Sequence, residues 1–321
     1  MRGVALALAL GLCTVPPASA ENAENLPLVG ILRSNTAATV EPAATGFKEA
    51  LAVLGLVDGR NIRLEVRLAE GHAERLPELA QSLVQAKASV IVAFGAPVIR
   101  AAQRATSTIP IVAIGELLSE GLIASLARPG GNTTGVSILN TELDAKRLEV
   151  LKQIVPLGRR FALLRDPAFS FPAQMQAITD AGHALGVELQ AVDVRGPADL
   201  APAFASFRDG GAEAINVLTS PMLFSSRAEV GRLSLTYRLP AICEWREMVE
   251  AGCLASYGTR LSEGWAMLAA MTDKMLKGAP PGETPAQQPT KFELAINLKV
   301  ARAIGIEIPQ AILGRADEVI E

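Results

Sequence analysis

The sequence predicts an α/β protein of two similar units, each a doubly wound parallel sheet covered by helices. Three observations carry this. Short apolar runs alternate with segments of helical period along nearly the whole chain. The runs at 89–94 and 109–114 are apolar without alternation, as expected of strands buried on both faces. The rhythm then restarts after the turn-rich Arg128-Pro129-Gly130-Gly131-Asn132.

In chain order, 26–32 is an apolar run with β character that ends in Arg33-Ser34-Asn35-Thr36. The spacing of Phe47, Leu51 and Leu54 predicts a helix over 42–54, closed by Gly55. Ile62, Leu64, Val66 and Leu68 alternate as in a strand, and 76–86 is helical again. The strand 89–94 is stopped by Gly95-Ala96-Pro97, a helix covers 98–106, and the strand 109–114 is stopped by Gly115-Glu116. After the restart, 136–138 is a short strand, 142–155 an amphipathic helix, and 161–164 a strand ending at Arg165-Asp166-Pro167. A helix over 174–185, a strand over 187–194 and a helix over 200–207 lead to the strand 214–218, which ends at Thr219-Ser220-Pro221. Residues 227–237 are helical, 241–243 lead to Glu244-Trp245, and 254–258 follow. The longest helix spans 261–276, the proline-rich 278–289 reads as a connection, and 292–296 and 298–304 add a last strand and helix. Each unit then holds about five strands. The chain changes unit near Asn140 and again near Gly258, so the two units should face each other across a cleft.

Residues 1–20 read as a secretory signal peptide. Arg2 supplies the positive start, 4–12 the apolar run, and Ala18-Ser19-Ala20 the small-residue cleavage site after Pro16-Pro17. The apolar run is far short of the roughly 20 residues of a membrane span. A buried N-terminal helix is the alternative. A lipid anchor on Cys13 would need a small residue where Leu12 stands. Cleavage after Ala20 leaves 301 residues, 29 basic against 33 acidic, and two cysteines, Cys243 and Cys253. An oxidising exported compartment permits their bridge, whereas a helical segment between them would hold them apart.

Composition excludes several functions. Charged residues make up 20%, which argues against disorder. A net charge of −3 without a basic block gives no footprint for nucleic acid. Two histidines and three cysteines leave no room for a Cys/His zinc cluster, so no metal is expected. His72 and His183 neighbour no serine or cysteine, and no P-loop, Gly-x-Ser-x-Gly or His-Glu-x-x-His is present. The glycine-rich 128–135 precedes a strand rather than linking strand to helix, so it is no phosphate cradle. No catalytic residue and no cofactor are expected.

In open parallel sheets, ligands bind beyond the carboxyl ends of the strands, where the next helices present free N–H groups. That rule selects Arg33, Ser34, Asn35 and Thr36; Phe94, Gly95 and Ala96; Gly115 and Glu116; Arg165, Asp166 and Phe169; Thr219 and Ser220; Glu244 and Trp245; and Tyr257. Among 9 Phe, 2 Tyr and 2 Trp, the residues Phe94, Phe169, Phe171, Trp245 and Tyr257 fall at or just past strand ends. Aromatic walls suit an apolar or ring-bearing small molecule. Arg33 and Arg165 could receive a carboxylate, and Glu116, Asp166 and Glu244 an ammonium. An amino-acid-like ligand with a ring or apolar side chain is therefore expected.

Several stretches also carry a family resemblance. They are Ala69-Glu70-Gly71 with 75–80, the run 105–112, the run 121–132, the C-terminal 288–299 and the ending 315–320. With these the chain resembles the ABC transporter substrate-binding protein family, which includes tryptophan- and phenylalanine-binding lipoproteins, over nearly all of 27–320. The resemblance implies a type I periplasmic-binding-protein fold, two lobes joined by a three-crossover hinge. Lobe 1 would take 27–139 plus 259–286, and lobe 2 140–258 plus 287–321. It implies ligand contacts at Ser34, Asn35, Gly95, Ala96, Gly115, Glu116, Ser137, Asp166, Thr219, Ser220 and Glu244. Two departures bear on the ligand: Ala96 stands where relatives often have Thr, and Gly115-Glu116-Leu117 replaces a stretch that commonly carries Asp-Pro.

The expected function is the periplasmic solute-binding component of an ABC importer, monomeric, closing its lobes on a small molecule and docking transiently on an inner-membrane permease. One alternative is a ligand sensor feeding a receptor kinase or chemoreceptor. Another is an exported α/β enzyme, whose acid–base pair Asp166 and Glu244 would supply only loosely. A DNA-binding regulator of the same architecture is disfavoured, because the leader stands where its headpiece would be.

Overall fold

The structure is a computed structural model that describes residues 25–35 and 37–321, with the backbone alone for 37–44. The signal peptide and Thr36 of the sequence reading lie outside the described residues.

The first sheet is built from β1 (Leu28–Arg33), β2 (Arg63–Leu68), β3 (Val90–Phe94), β4 (Ile111–Gly115) and β5 (Thr133–Ser137), all parallel, in the order β2-β1-β3-β4-β5. The helices α1 (Ala37–Val53), α2 (Leu76–Gln85) and α3 (Ala96–Ala105) connect its strands. Successive residues of a strand point to opposite faces, and both faces here are apolar. Leu28, Leu32, Ile91, Ala93, Ile111 and Ala113 pack with Leu76, Ala80, Leu83, Val98 and Ile99 of α2 and α3. Val29, Ile31, Val90, Val92 and Val112 pack with Phe47 and Leu51 on the other face. This double burial is why these strands show no polar alternation in sequence.

The second sheet begins with α4 (Asn140–Ile154) and β6 (Arg160–Arg165), and continues through α5 (Pro172–Leu185), β7 (Glu188–Asp193), α6 (Leu200–Asp209) and β8 (Ala214–Val217). Two further helices, α7 (Pro221–Ser225) and α8 (Arg227–Tyr237), lead to β9 (Ala241–Cys243), α9 (Arg246–Glu250) and β10 (Ala255–Gly258). The chain then leaves the second sheet. α10 (Leu261–Leu276) packs on α1 and on β3, β4 and β5 of the first. Its Trp265 lies against Gly46 of α1, where a Cβ would stand 2.7 Å from the indole; only glycine admits that approach. Residues 284–287 run along the free edge of β5, with Gln287 N–H donating to the Gly135 carbonyl and Ser137 N–H to the Gln287 carbonyl, both at 2.8 Å. β11 (Glu293–Asn297), α11 (Leu298–Ile304), α12 (Gln310–Leu313) and β12 (Glu318–Ile320) return to the second sheet.

The second sheet has seven strands, in the order β12-β11-β10-β9-β8-β6-β7. This exceeds the roughly five expected per unit by two: β11, read from sequence as a last strand, joins this sheet, and β12 is a three-residue strand too short to register a pattern. β11 runs antiparallel to β10, the one such pair among the described strands, since it enters after the crossing from the opposite end. Cys243 and Cys253, whose pairing the sequence left open, are disulfide-bonded. The helix between them, α9, is only five residues long, and the chain turns back at Ala251-Gly252 to bring the thiols together.

Candidate functional site

The carboxyl ends of β1, β3 and β4 face those of β6, β8 and β9, and between them lies a cavity of about 110 Å3. Ten of the sixteen site residues read from sequence line it: Asn35, Phe94, Gly95, Ala96, Gly115, Glu116, Phe169, Thr219, Glu244 and Trp245. Arg33, also singled out by position, lines it too.

The six others lie elsewhere, each for a stated reason. Arg165 is ion-paired at 2.6 Å with Asp193 on the neighbouring β7. Asp166 and Ser220 are held by each other at 2.6 Å, and Ser220 also caps α7 by accepting from the N–H groups of Met222 and Leu223. The Ser137 hydroxyl accepts from Leu117 N–H and is fully buried. Tyr257 stacks against Phe292, with ring centroids 6.3 Å apart. Ser34 uses its carbonyl to accept from Gly71 N–H.

The walls are aromatic on both sides. From the first sheet, Phe94 meets Trp265 of α10 edge-on at 5.8 Å. From the second, Phe224 of α7 meets Trp245 edge-on at 4.9 Å. Phe169 crosses the gap and rests against Gly95, whose φ of +81° is a glycine conformation at the start of α3. Asn35 also bridges the sheets, its Nδ2 donating to the Pro221 carbonyl at 3.2 Å and to Ser225 Oγ at 2.9 Å.

Arg33 is buried, with its guanidinium carbon 4.2 Å from the centroid of the Phe94 ring. Its Nε has no hydrogen-bond partner, and no described carboxylate lies within ion-pair distance. Desolvation lowers its pKa to about 10. The ring face offsets part of that cost, a cation–π contact contributing about 0.5–2 kcal/mol.

The acids of the wall differ in how far they are engaged. Glu116 Oε2 accepts from Asn140 N–H at 2.7 Å and more weakly from Thr141 N–H, while Oε1 accepts from Ser119 Oγ at 3.1 Å. A carboxylate from the first sheet therefore caps the N-terminus of α4, which belongs to the second, and favourably meets its dipole. Burial nonetheless raises the Glu116 pKa. Glu120 is pushed up to about 7 by desolvation, against the pull of Arg100.

Glu244 belongs to a buried network. Arg147 of α4, fully buried, donates from Nη1 to Asp144 and from Nε to the Tyr257 carbonyl at 2.8 Å. Gln174 and Asn216 hold Asp144 from α5 and β8. The Arg147 Nη2 lies 4.0 Å from Glu244 Oε1, outside hydrogen-bond range. Desolvation raises Glu244 to about 7, opposed first by the Arg147 charge. Thr219 approaches Glu244 closely enough to favour its ionised form, but its hydroxyl is in hydrogen-bond geometry with no described group.

Sequence reasoning missed the residues that come from the crossings between sheets. Ile138 and Asn140 stand on the first, Thr259, Arg260 and Leu261 with Gly264 and Trp265 on the second, and Pro289 on the third. They form the hinge side of the cavity. The strand-end rule does not reach them.

Two parallel-stranded α/β bodies joined by three strands of chain, with a cavity between their strand ends, define the type I periplasmic-binding-protein fold, and solved structures agree. A conserved domain protein from Vibrio cholerae O1 biovar El Tor N16961 superposes with a TM-score of 0.83 at 23% identity, over 92% of this chain and all of that one. The ABC domain from Streptococcus pneumonia in complex with L-Trp superposes at 0.79 and 23% identity, over 91% of this chain and all of that one. The pattern of the ABC transporter substrate binding protein family matches residues 32–320, and the chain belongs to that family of solute-binding proteins. A tyrosine-binding protein of Clostridioides difficile (strain R20291) is 24% identical over 282 residues, 87% of this chain and 81% of that protein.

Proposed function

We propose that the chain is the solute-capturing component of an ABC importer, non-catalytic, and that its solute is amino-acid-like with a ring or apolar side chain. The observation that carries this is the cavity itself: aromatic walls from both sheets around one partnerless guanidinium. A buried cation without a counter-ion costs several kcal/mol, which a solute carboxylate would offset. The ligands named for the pneumococcal and clostridial relatives, tryptophan and tyrosine, fall in the same class.

The sheets with their helices act as lobes, 27–139 plus 259–286 against 140–258 plus 287–321. Closure over the solute brings Asn35 to Ser225 and Phe169 to Gly95, and the closed form docks transiently on a membrane permease. The working compartment is the periplasm, the signal peptide at 1–20 is removed after Ala20, and the mature chain is a monomer. Calorimetric titration of ligand-stripped protein with a panel of amino acids should find at least one aromatic or branched member binding below millimolar. Binding of none would defeat the reading.

A further inference from the structure

The polar groups of the cavity left without a protein partner set one donor on the first lobe against acceptors mostly on the second, Asn35 Oδ1 being the one acceptor that stands on the first. On the first sheet stands a donor, the Arg33 guanidinium. On the second sheet and its first crossing stand three oxygens: Glu244 Oε2, Thr219 Oγ1 and Asn140 Oδ1. An ammonium has three N–H donors, and a carboxylate matches a guanidinium. Both α-substituents of an amino acid are thus matched, one on each side.

The charge balance is closer than this match suggests. The charged groups facing Glu244 are Arg147 and Asp144, both from α4; Thr219 beyond β8 and Gly258 of β10, which also pack on it, bring none. Asp144 is the hydrogen-bonded partner of Arg147, and Glu244 stands at 4.0 Å. Arg147 is therefore already balanced, and a second buried carboxylate would carry an excess negative charge. Before solute arrives, that excess is avoided if Glu244 holds a proton, in keeping with its titration near 7.

We propose that Arg33 and Glu244 are the two poles of the solute site and that Glu244 exchanges its proton for the solute's ammonium. This rests on the amino-acid reading above. The carboxylate settles on Arg33, the ammonium on Glu244 with Thr219 and Asn140, and the displaced proton leaves to solvent. A solute that carries only the carboxylate binds with Glu244 still protonated. Capture of amino acids is thereby coupled to pH, and capture of their des-amino analogues is not coupled in the same direction.

The test uses three matched pairs: L-phenylalanine with 3-phenylpropionate, L-leucine with 4-methylpentanoate, and L-tryptophan with indole-3-propionate. Calorimetry at pH 6 in buffers of different ionisation enthalpy should report close to one proton released per amino acid bound and none for the analogue. The amino-acid Kd should fall by up to tenfold per pH unit up to about pH 7 and then level off; that of the analogue should stay flat or rise. Glu244→Gln should abolish the slope for the amino acid while the analogue still binds, and Arg33→Gln should weaken both members of the pair. Amino-acid binding without proton release, or with a pH-independent Kd, overturns the proposal and leaves the amino-acid reading standing. Should Glu244→Gln bind neither partner, the proton count on the unmodified protein decides. Failure of all six compounds to bind overturns the amino-acid reading and the proposal with it.

Discussion

Under the closure proposed above, replacing Gly95 by alanine separates fold stability from the coming together of the lobes. An alanine Cβ would stand 2.5 Å from Cε1 and 2.9 Å from Cδ1 of Phe169, on the opposite lobe. Ordinary contact begins at 3.4 Å, so the ring must retreat by about 0.9 Å. Two costs follow. Holding alanine at a φ of +81° and a ψ of +155° costs about 1–3 kcal/mol whether the lobes are apart or together. The clash costs about 1–3 kcal/mol, the usual price of overpacking, but only when Phe169 comes up against α3. Gly95→Ala should therefore lower Tm modestly without solute and weaken solute binding by about 5- to 150-fold. Calorimetric Kd values on a double-mutant cycle provide the assay: in a Phe169→Ala background the same change should cost little affinity while the Tm loss persists. Gly95→Ala binding solute with the original Kd, and with an unchanged scattering envelope, would refute the contact as part of the closed state.

Arg147→Met leaves Asp144 buried beside an apolar side chain; removing one partner of such a pair costs about 3–5 kcal/mol, to be read as a lowered urea midpoint. Cys243→Ser with Cys253→Ser frees a short loop, a loss of about 2–3 kcal/mol in the chain-entropy account, and dithiothreitol on the original protein should reproduce it. Glu120 gives a pH signature. Its carboxyl is raised from 4.5 to about 7, so between those values the folded chain holds a proton that the unfolded chain has lost. That contribution is complete below about pH 4.5 and disappears as pH rises through 7, the slope being negative where the native state binds more protons. Glu120→Gln should flatten this part of the stability–pH curve measured by chemical unfolding; an unchanged curve would show that Glu120 ionises normally.

Much of the fold is legible because its inner strands are buried on both faces and several stop at glycine or proline. Gly95-Ala96-Pro97 marks a strand end, a helix start and a cavity wall at once. The site is legible where a strand's direction settles it, as for Asn35, Phe94 and Thr219. It is illegible where the outcome depends on a neighbour far off in sequence. Arg165 turns to Asp193 because β7 is its edge partner, and Tyr257 turns to Phe292 because β11 arrives beside β10. Trp265 joins the cavity because α10 docks on the sheet that β10 does not belong to. Phe224 sits on a five-residue helix, too short to show a period. None of these pairings leaves a local mark.

The three crossings also fix an order of completion during synthesis. The apolar layer of α1 and α10 on the first sheet does not close until residues 261–276 have emerged, since Trp265, Leu268 and Met271 cover Val29, Val92 and Val112. The second sheet lacks two of its seven strands until β11 and β12 arrive at 293–320. A ribosome more than three-quarters through the message therefore carries two unfinished halves and no finished one. Such a nascent chain offers little cooperative structure to resist being threaded through a narrow pore before its last residues are added.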